Sequence, residues 1–167
     1  MMDLKSHITA VPDFPRPGIL FRDIMPLLRS QFAPTIAALD GLLSAAEWNA
    51  VDAIAGIESR GFILGAALAQ HRRKGFVAVR KQGKLPPPVS RLSYRLEYGE
   101  ATLEMQPGAG RIVLVDDVLA TGGTMAAATE LCVATGHAPV ALLSLVDLGL
   151  APDIRCHGLP VRAALHY

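Results

Sequence analysis

Two adjacent carboxylates, Asp116 and Asp117, follow the apolar run Ile112, Val113, Leu114 and Val115 and precede a small-residue turn, Ala120-Thr-Gly-Gly-Thr124. The run predicts a strand over 112–115 buried on both faces, as in a parallel sheet. The residues after the turn, rich in Ala and Leu, predict a helix over 125–136 with Gly136 just past its end. A strand, an acid pair, a Gly turn and a helix start form a phosphate site in open α/β sheets. There, bare backbone N–H groups and the positive end of the helix dipole point at the anion. Glycine lets the backbone come close. Paired carboxylates beside such a site accept hydrogen bonds from sugar hydroxyls or help hold a divalent cation. A ribose phosphate suits both halves. Neither G-x-G-x-x-G nor G-x-x-x-x-G-K-[ST] occurs in the chain, so the stretch is neither a dinucleotide fingerprint nor a Walker loop. A helix-capping turn flanked by surface acids would use the same residue types.

A second strand-to-helix junction, Gly56-Ile-Glu-Ser-Arg-Gly-Phe62, carries Glu58, Ser59 and Arg60. Alone it is weak, because Arg60 could simply pair with Glu58. Beside the acid pair it reads as a cradle for a second polyanion, with N–H donors and a guanidinium. Arg80, Lys81 and Lys84 stand after a third apolar run and form either a solvated charge cluster or cations facing a diphosphate.

The elements that must position these groups follow from the pattern. The leader, residues 1–30, holds Pro12, Pro15, Pro17 and Pro26, which forbid a long helix there. Residues 30–48 predict one amphipathic helix through Ile36, Leu39, Leu42, Leu43 and Ala46. Short strands are predicted over 51–55, 76–79, 112–115, 140–146 and 161–165, with a helix over 60–73 apolar enough to be buried, for which another subunit is one expected cover. Pro86, Pro87 and Pro88, then alternating Leu92, Tyr94, Leu96 and Tyr98, predict a β-ribbon excursion of the kind that acts as a lid. The result is an α/β fold with an open, mostly parallel sheet flanked by helices and a site at the C-terminal strand ends.

Composition bounds the rest. The chain has 167 residues, enough for one domain with a core. A net charge of +1 gives no basic field to argue for nucleic acid. No apolar run reaches transmembrane length and no signal-type segment opens the chain, so a cytoplasmic location without membrane attachment is expected. Cys132 and Cys156 form no metal or disulfide pattern, and the five histidines have no ligand spacing.

Beyond these readings, Val115-Asp-Asp-Val-Leu-Ala-Thr-Gly-Gly-Thr124 resembles the phosphoribosyl-pyrophosphate (PRPP) motif of type I phosphoribosyltransferases. Phe14-Pro-Arg-Pro-Gly-Ile-Leu-Phe-Arg-Asp-Ile24, Gly56-Ile-Glu-Ser-Arg-Gly-Phe62, Arg80-Lys-Gln-Gly-Lys-Leu-Pro86 and Ser93-Tyr-Arg-Leu-Glu-Tyr-Gly99 resemble the adenine phosphoribosyltransferase family segment by segment. The resemblance implies one type I phosphoribosyltransferase domain over 1–167, with a hood in 1–30 and a flexible lid over about 82–105. It implies transfer of the phosphoribosyl group of PRPP to adenine, giving AMP and diphosphate with Mg²⁺, in a homodimer. Asp116 and Asp117 would then bind the ribose hydroxyls, and Ala120, Thr121, Gly122, Gly123 and Thr124 the 5′-phosphate. Glu58, Ser59 and Arg60 would form the diphosphate loop, assisted by Arg80, Lys81 and Lys84. Leu20, Phe21, Arg22 and Leu148 would hold adenine, and Glu97 on the lid would be the general acid–base. No protein side chain is assigned directly to the metal, which would be bound mainly through PRPP. Pro87 stands where the family usually has glycine, which stiffens the lid. A transferase for another purine base and a PRPP-sensing regulator of the same fold are the rival expectations.

Overall fold

The computed structural model describes residues 3–96 and 99–167. They fall into two compact units, Met1–Ala38 and Leu39–Tyr167. In the first, a 3-10 turn at Leu4–His7 precedes an antiparallel hairpin of β1 (Thr9–Pro12) and β2 (Leu20–Asp23), followed by helix α1 (Met25–Ser30). Phe14 and Phe21 meet edge to face, with centroids 5.1 Å apart. The prolines do exclude a long helix, and the leader is ordered into these short elements.

The expected helix over 30–48 is two helices, α2 (Phe32–Asp40) and α3 (Ala45–Asn49). Gly41 follows the first, and Ser44 starts the second with a capping box. Ser44 Oγ accepts the Glu47 N–H at 3.3 Å, and a Glu47 carboxylate oxygen accepts the Ser44 N–H at 2.8 Å. The S-x-x-E signature of that cap is legible in the sequence. The indole N–H of Trp48 then donates to the Asp40 carbonyl at 2.9 Å, folding α3 back on the end of α2.

The second unit is built on an eight-stranded sheet. Its strands are β3 (Ala53–Ile57), β4 (Gly75–Lys81), β5 (Ser90–Leu96), β6 (Gly99–Met105), β7 (Gly110–Leu119), β8 (His137–Asp147), β9 (Arg155–Cys156) and β10 (Leu159–His166). The order is β5-β6-β4-β3-β7-β8-β10-β9. The five central strands, β4, β3, β7, β8 and β10, are parallel, and the ribbon β5–β6 and the short β9 add antiparallel edges. Helix α4 (Arg60–Arg72) crosses from β3 to β4, and α5 (Gly123–Ala134) from β7 to β8. The two crossovers leave in opposite directions, so β3 and β7 flank a topological switch point, where open α/β sheets bind ligands.

Strand β7 is longer than its apolar run. It pairs with β8 as far as Leu119 opposite Asp147, so Asp116 and Asp117 lie inside the strand rather than beyond it. Ile112 and Leu114 join the buried cluster with Met125, Ala128, Leu131 and Cys132 of α5. Alternation sends Val113 and Val115 to the opposite face, the side of α4. Helix α4 buries Gly61, Leu64, Gly65, Leu68 and Ala69 and leaves Ile63 exposed. Both cysteines are buried free thiols, and burial pushes Cys132 up to about 12. No helix among the described residues is long and apolar enough to cross a membrane.

Candidate active site

At the switch point the C-terminal ends of β3 and β7 open into a cavity of about 750 Å³. Asp116, Asp117 and Thr124 line it from the central unit. Glu58, Ser59 and Arg60 line it from the β3–α4 junction, and Lys81 and Gln82 from the end of β4. Three segments separated by dozens of residues thus share one space.

The helix starts are built to leave donors open. Gly122 is the N-cap of α5 at φ +88°, with no side chain capping the first turn. A Cβ there would lie 2.7 Å from Ile154, so both conformation and space call for glycine. The uncapped N–H groups and the dipole of this 12-residue helix favour an anion. Ser59 at the start of α4 likewise makes no side-chain capping bond. Gly61 brings that helix onto β7: a Cβ would stand 2.9 Å from the Val115 carbonyl oxygen and 3.1 Å from Asp116 Oδ1.

The acid pair is buried, with Asp116 9% and Asp117 8% exposed. Asp116 Oδ1 accepts the Asp117 N–H at 2.9 Å. Arg60 Nε lies 2.7 Å from Asp117 Oδ2, yet that oxygen receives no aligned hydrogen bond among the described residues. Burial first, and the Asp117 charge second, raise the Asp116 carboxyl well above the usual carboxylate range. The Asp117 N–H and the Arg60 guanidinium offset this in part. One guanidinium and one backbone N–H are less positive charge and fewer donors than two buried carboxylates call for, and a ribose diol or a divalent cation would supply the rest. No group of three metal-ligating side chains exists among the described residues. A hard cation held by one or two carboxylates plus substrate phosphates fits this donor set, and an all-protein cage does not.

Arg60 pairs with Asp117 across the cavity and not with its neighbour Glu58. Glu58 instead accepts from Arg80 Nε at 3.2 Å and from the Lys81 N–H at 3.0 Å. Although burial alone would raise the Glu58 carboxyl, these two donors hold it below its ordinary value. Arg80 also donates to the Lys84 carbonyl at 3.3 Å, and its guanidinium lies 5.7 Å from the Phe62 ring centroid. Leu148 follows β8, its N–H bonded to the Leu119 carbonyl at 3.0 Å. Leu20, Phe21 and Arg22 lie in β2 of the N-terminal unit. Glu97 falls outside the described residues.

The ribbon contributes residues that the chemistry-led reading missed. Tyr94, Leu96, Glu100, Ala101 and Thr102 line the cavity, and the Tyr94 hydroxyl is 3.2 Å from Thr124 Oγ1 at the start of α5. The alternation of Tyr94 and Leu96 was a usable signal, since period-two residues share a face. The histidines stay outside the cavity lining. His137 is buried against Thr135 Oγ1 at 3.1 Å, and desolvation lowers its pKa.

The phosphoribosyl transferase domain family matches residues 36–149, and the chain is 53% identical over 166 residues to the adenine phosphoribosyltransferase of Bdellovibrio bacteriovorus, covering 99% of this chain and 100% of that one. The chain belongs to the adenine phosphoribosyltransferase family. Among solved structures of the family, that from Rhodothermus marinus is 43% identical with a TM-score of 0.86, covering 98% of this chain and 96% of its own. The enzyme from Saccharomyces cerevisiae, complexed with D-2,5-dideoxy-2,5-imino-altritol 1,6-bisphosphate and adenine, is 35% identical with a TM-score of 0.87, covering 97% and 96%. The fold is therefore that of the type I phosphoribosyltransferases, as the PRPP motif implied.

Proposed function

We propose that this chain transfers the 5-phosphoribosyl group of PRPP to adenine, giving AMP and diphosphate in purine salvage. The observation that carries this reading is the single cavity in which the buried acid pair, the uncapped start of α5 and the Arg60–Lys81 cations meet. The C1′–O bond to diphosphate breaks, the C1′–N9 bond forms, and the N9 proton leaves. Positive charge develops on the ribose and negative charge on the leaving group.

Asp116 and Asp117 accept the ribose hydroxyls and tolerate the cationic sugar. Ala120, Thr121, Gly122, Gly123 and Thr124 hold the 5′-phosphate. Ser59, Arg60, Arg80, Lys81 and Lys84 receive the diphosphate, with Glu58 orienting Arg80 and the Lys81 backbone. Mg²⁺ would enter mainly through the PRPP phosphates, with Asp116 and Asp117 the carboxylates that would help hold it, and would supply neutralisation of phosphate charge. The family motif alone assigns adenine recognition to Leu20, Phe21, Arg22 and Leu148, and the N9 proton to Glu97. A lid over about 82–105, the β5–β6 ribbon included, keeps water from the reacting carbon.

Residues 1–167 form one phosphoribosyltransferase domain with its hood in 1–30. The enzyme acts as a cytoplasmic homodimer, an assignment that the exposed Ile63 and Phe76 near α4 and the buried free thiols support. Sedimentation at micromolar concentration tests the dimer. The activity test is incubation with PRPP, Mg²⁺ and each purine base separately, followed by separation of the nucleotides. AMP is expected from adenine, with kcat/KM about tenfold or more above hypoxanthine, because the wrong group at C6 leaves a buried polar atom unpaired. Failure to form AMP refutes the reading, and PRPP binding without turnover would point to a regulator.

A further inference from the structure

One fully buried carboxylate at the base of the ribbon is not among the residues that line the cavity. Glu104, next to the last residue of β6, is 0% exposed. Its register partners are Arg80 on β4 and Arg91 on β5, so it sits across the sheet from an arginine on either side. Both of its oxygens have donors. Oε1 accepts the Lys84 N–H at 2.6 Å and the Leu85 N–H at 2.7 Å, and Oε2 accepts Arg91 Nε at 3.1 Å. A buried charge is kept only where such donors surround it.

The bonds run on toward the cavity. Lys84, held through its N–H by Glu104, accepts Arg80 through its carbonyl at 3.3 Å. Arg80 is held at its other edge by Glu58, which also fixes the Lys81 N–H. The path Glu104–Lys84–Arg80–Glu58–Lys81 links the base of the ribbon to every cation assigned to the diphosphate except Arg60. The turn at 82–85 is otherwise tied to the sheet by the Gln82 N–H on the Thr102 carbonyl at 3.0 Å. Arg80 is 31% exposed at its side chain and carries four flexible torsions, so without that carbonyl its second edge keeps only the Phe62 ring beside it.

We propose that Glu104 is a positioning residue for diphosphate recognition: its buried carboxylate shapes the 83–85 turn so that the Lys84 carbonyl holds Arg80 in place against Glu58. The inference rests on the phosphoribosyl-transfer reading. It adds that the strength of PRPP binding is set partly by a group that never touches PRPP.

The test compares wild type with Glu104→Gln in separate titrations of PRPP and adenine. The amide keeps the size of the side chain, but its NH₂ faces the Arg91 guanidinium donor or the two backbone donors, so at least one contact is lost. In either orientation the carboxylate charge is gone, so the bond to the Lys84 N–H is weakened or lost, and the KM for PRPP is expected to rise by about tenfold. The KM for adenine is expected to stay within about twofold, and kcat at saturating PRPP within about threefold, as for a purely binding defect. A merely structural role would lower thermal stability and move both KM values together, and that outcome, or an unchanged KM for PRPP in a wild type that makes AMP, overturns the proposal. If wild type makes no AMP, the underlying reading fails instead. Hydrogen exchange on the wild-type protein gives a second arm should the variant not fold. The Lys84 and Leu85 amides should exchange more slowly with Mg²⁺-diphosphate bound, and unchanged exchange at saturation overturns the coupling.

Discussion

Replacing Gly61 with alanine tests whether the close approach of α4 to β7 sets the acid pair. The added Cβ would lie 2.9 Å from the Val115 carbonyl oxygen, a backbone atom that cannot swing aside, and 3.1 Å from Asp116 Oδ1. Either α4 lifts or β7 gives way one residue before the carboxylates. Overpacking of this kind costs about 1–3 kcal/mol. Alanine returns roughly 0.5–1 kcal/mol through helix propensity at this helical position. The net expectation is destabilisation of up to about 2.5 kcal/mol, or a fall in melting temperature of up to about 10 °C for a chain of this size. Arg60 adjoins the lifted residue and its partner Asp117 lies on the displaced strand, so the ion pair at 2.7 Å opens as well. Displacing a reacting-site group by a few tenths of an ångström should reduce PRPP-dependent turnover about three- to tenfold. Gly75→Ala is the control, because its Cβ would meet only Ala53 Cβ at an ordinary 3.6 Å. Differential scanning calorimetry and AMP formation are measured on both variants. A Gly61→Ala protein that melts and turns over like wild type would show that the approach of α4 plays no part in placing the acid pair.

Three further outcomes are expected. The double variant Asp116→Asn, Asp117→Asn should keep its circular dichroism but lose most turnover and PRPP affinity, since amides neither carry the charge nor accept the diol as well; wild-type turnover in it would remove the pair from the site. Glu97→Gln should bind PRPP nearly normally yet form AMP about 10²-fold more slowly in a single turnover, the range of general acid–base catalysis, and an unaltered single-turnover rate would assign the N9 proton elsewhere. Acid stability should report Glu104: burial would raise its carboxyl, but the N–H groups of Gly83, Leu85 and Lys84 and the Arg91 guanidinium hold it at about 2 against an ordinary 4.5. The unfolded chain therefore binds the proton first, and the stabilisation from this group is complete above about pH 4.5 and lost as the pH falls toward 2. Glu47, held near 2 chiefly by Arg162, titrates in the same window, so the comparison is the melting temperature of wild type against Glu104→Gln from pH 5 downward. Parallel curves for the two proteins would contradict the assignment.

By itself the sequence determined the local chemistry and the fold class. The apolar run before Asp116 is a buried parallel strand, the Gly turn after it is an uncapped helix start, and the alternation after the proline run is an antiparallel ribbon, because each rests on periodicity or backbone conformation within one segment. The capping box at Ser44 is equally local, and it divides the single helix expected over 30–48 into two. Pairings were decided only by the tertiary structure. Arg60 has Glu58 two residues away in sequence, yet the close packing of α4 on β7 through Gly61 gives it to Asp117, while the parallel register of β3 with β4 brings Glu58 to Arg80. The entry of Tyr94 into the cavity and the enclosure of Glu104 between two arginines depend on strand order across the sheet. Strand order is set by crossovers and long-range burial, which no single segment of sequence encodes.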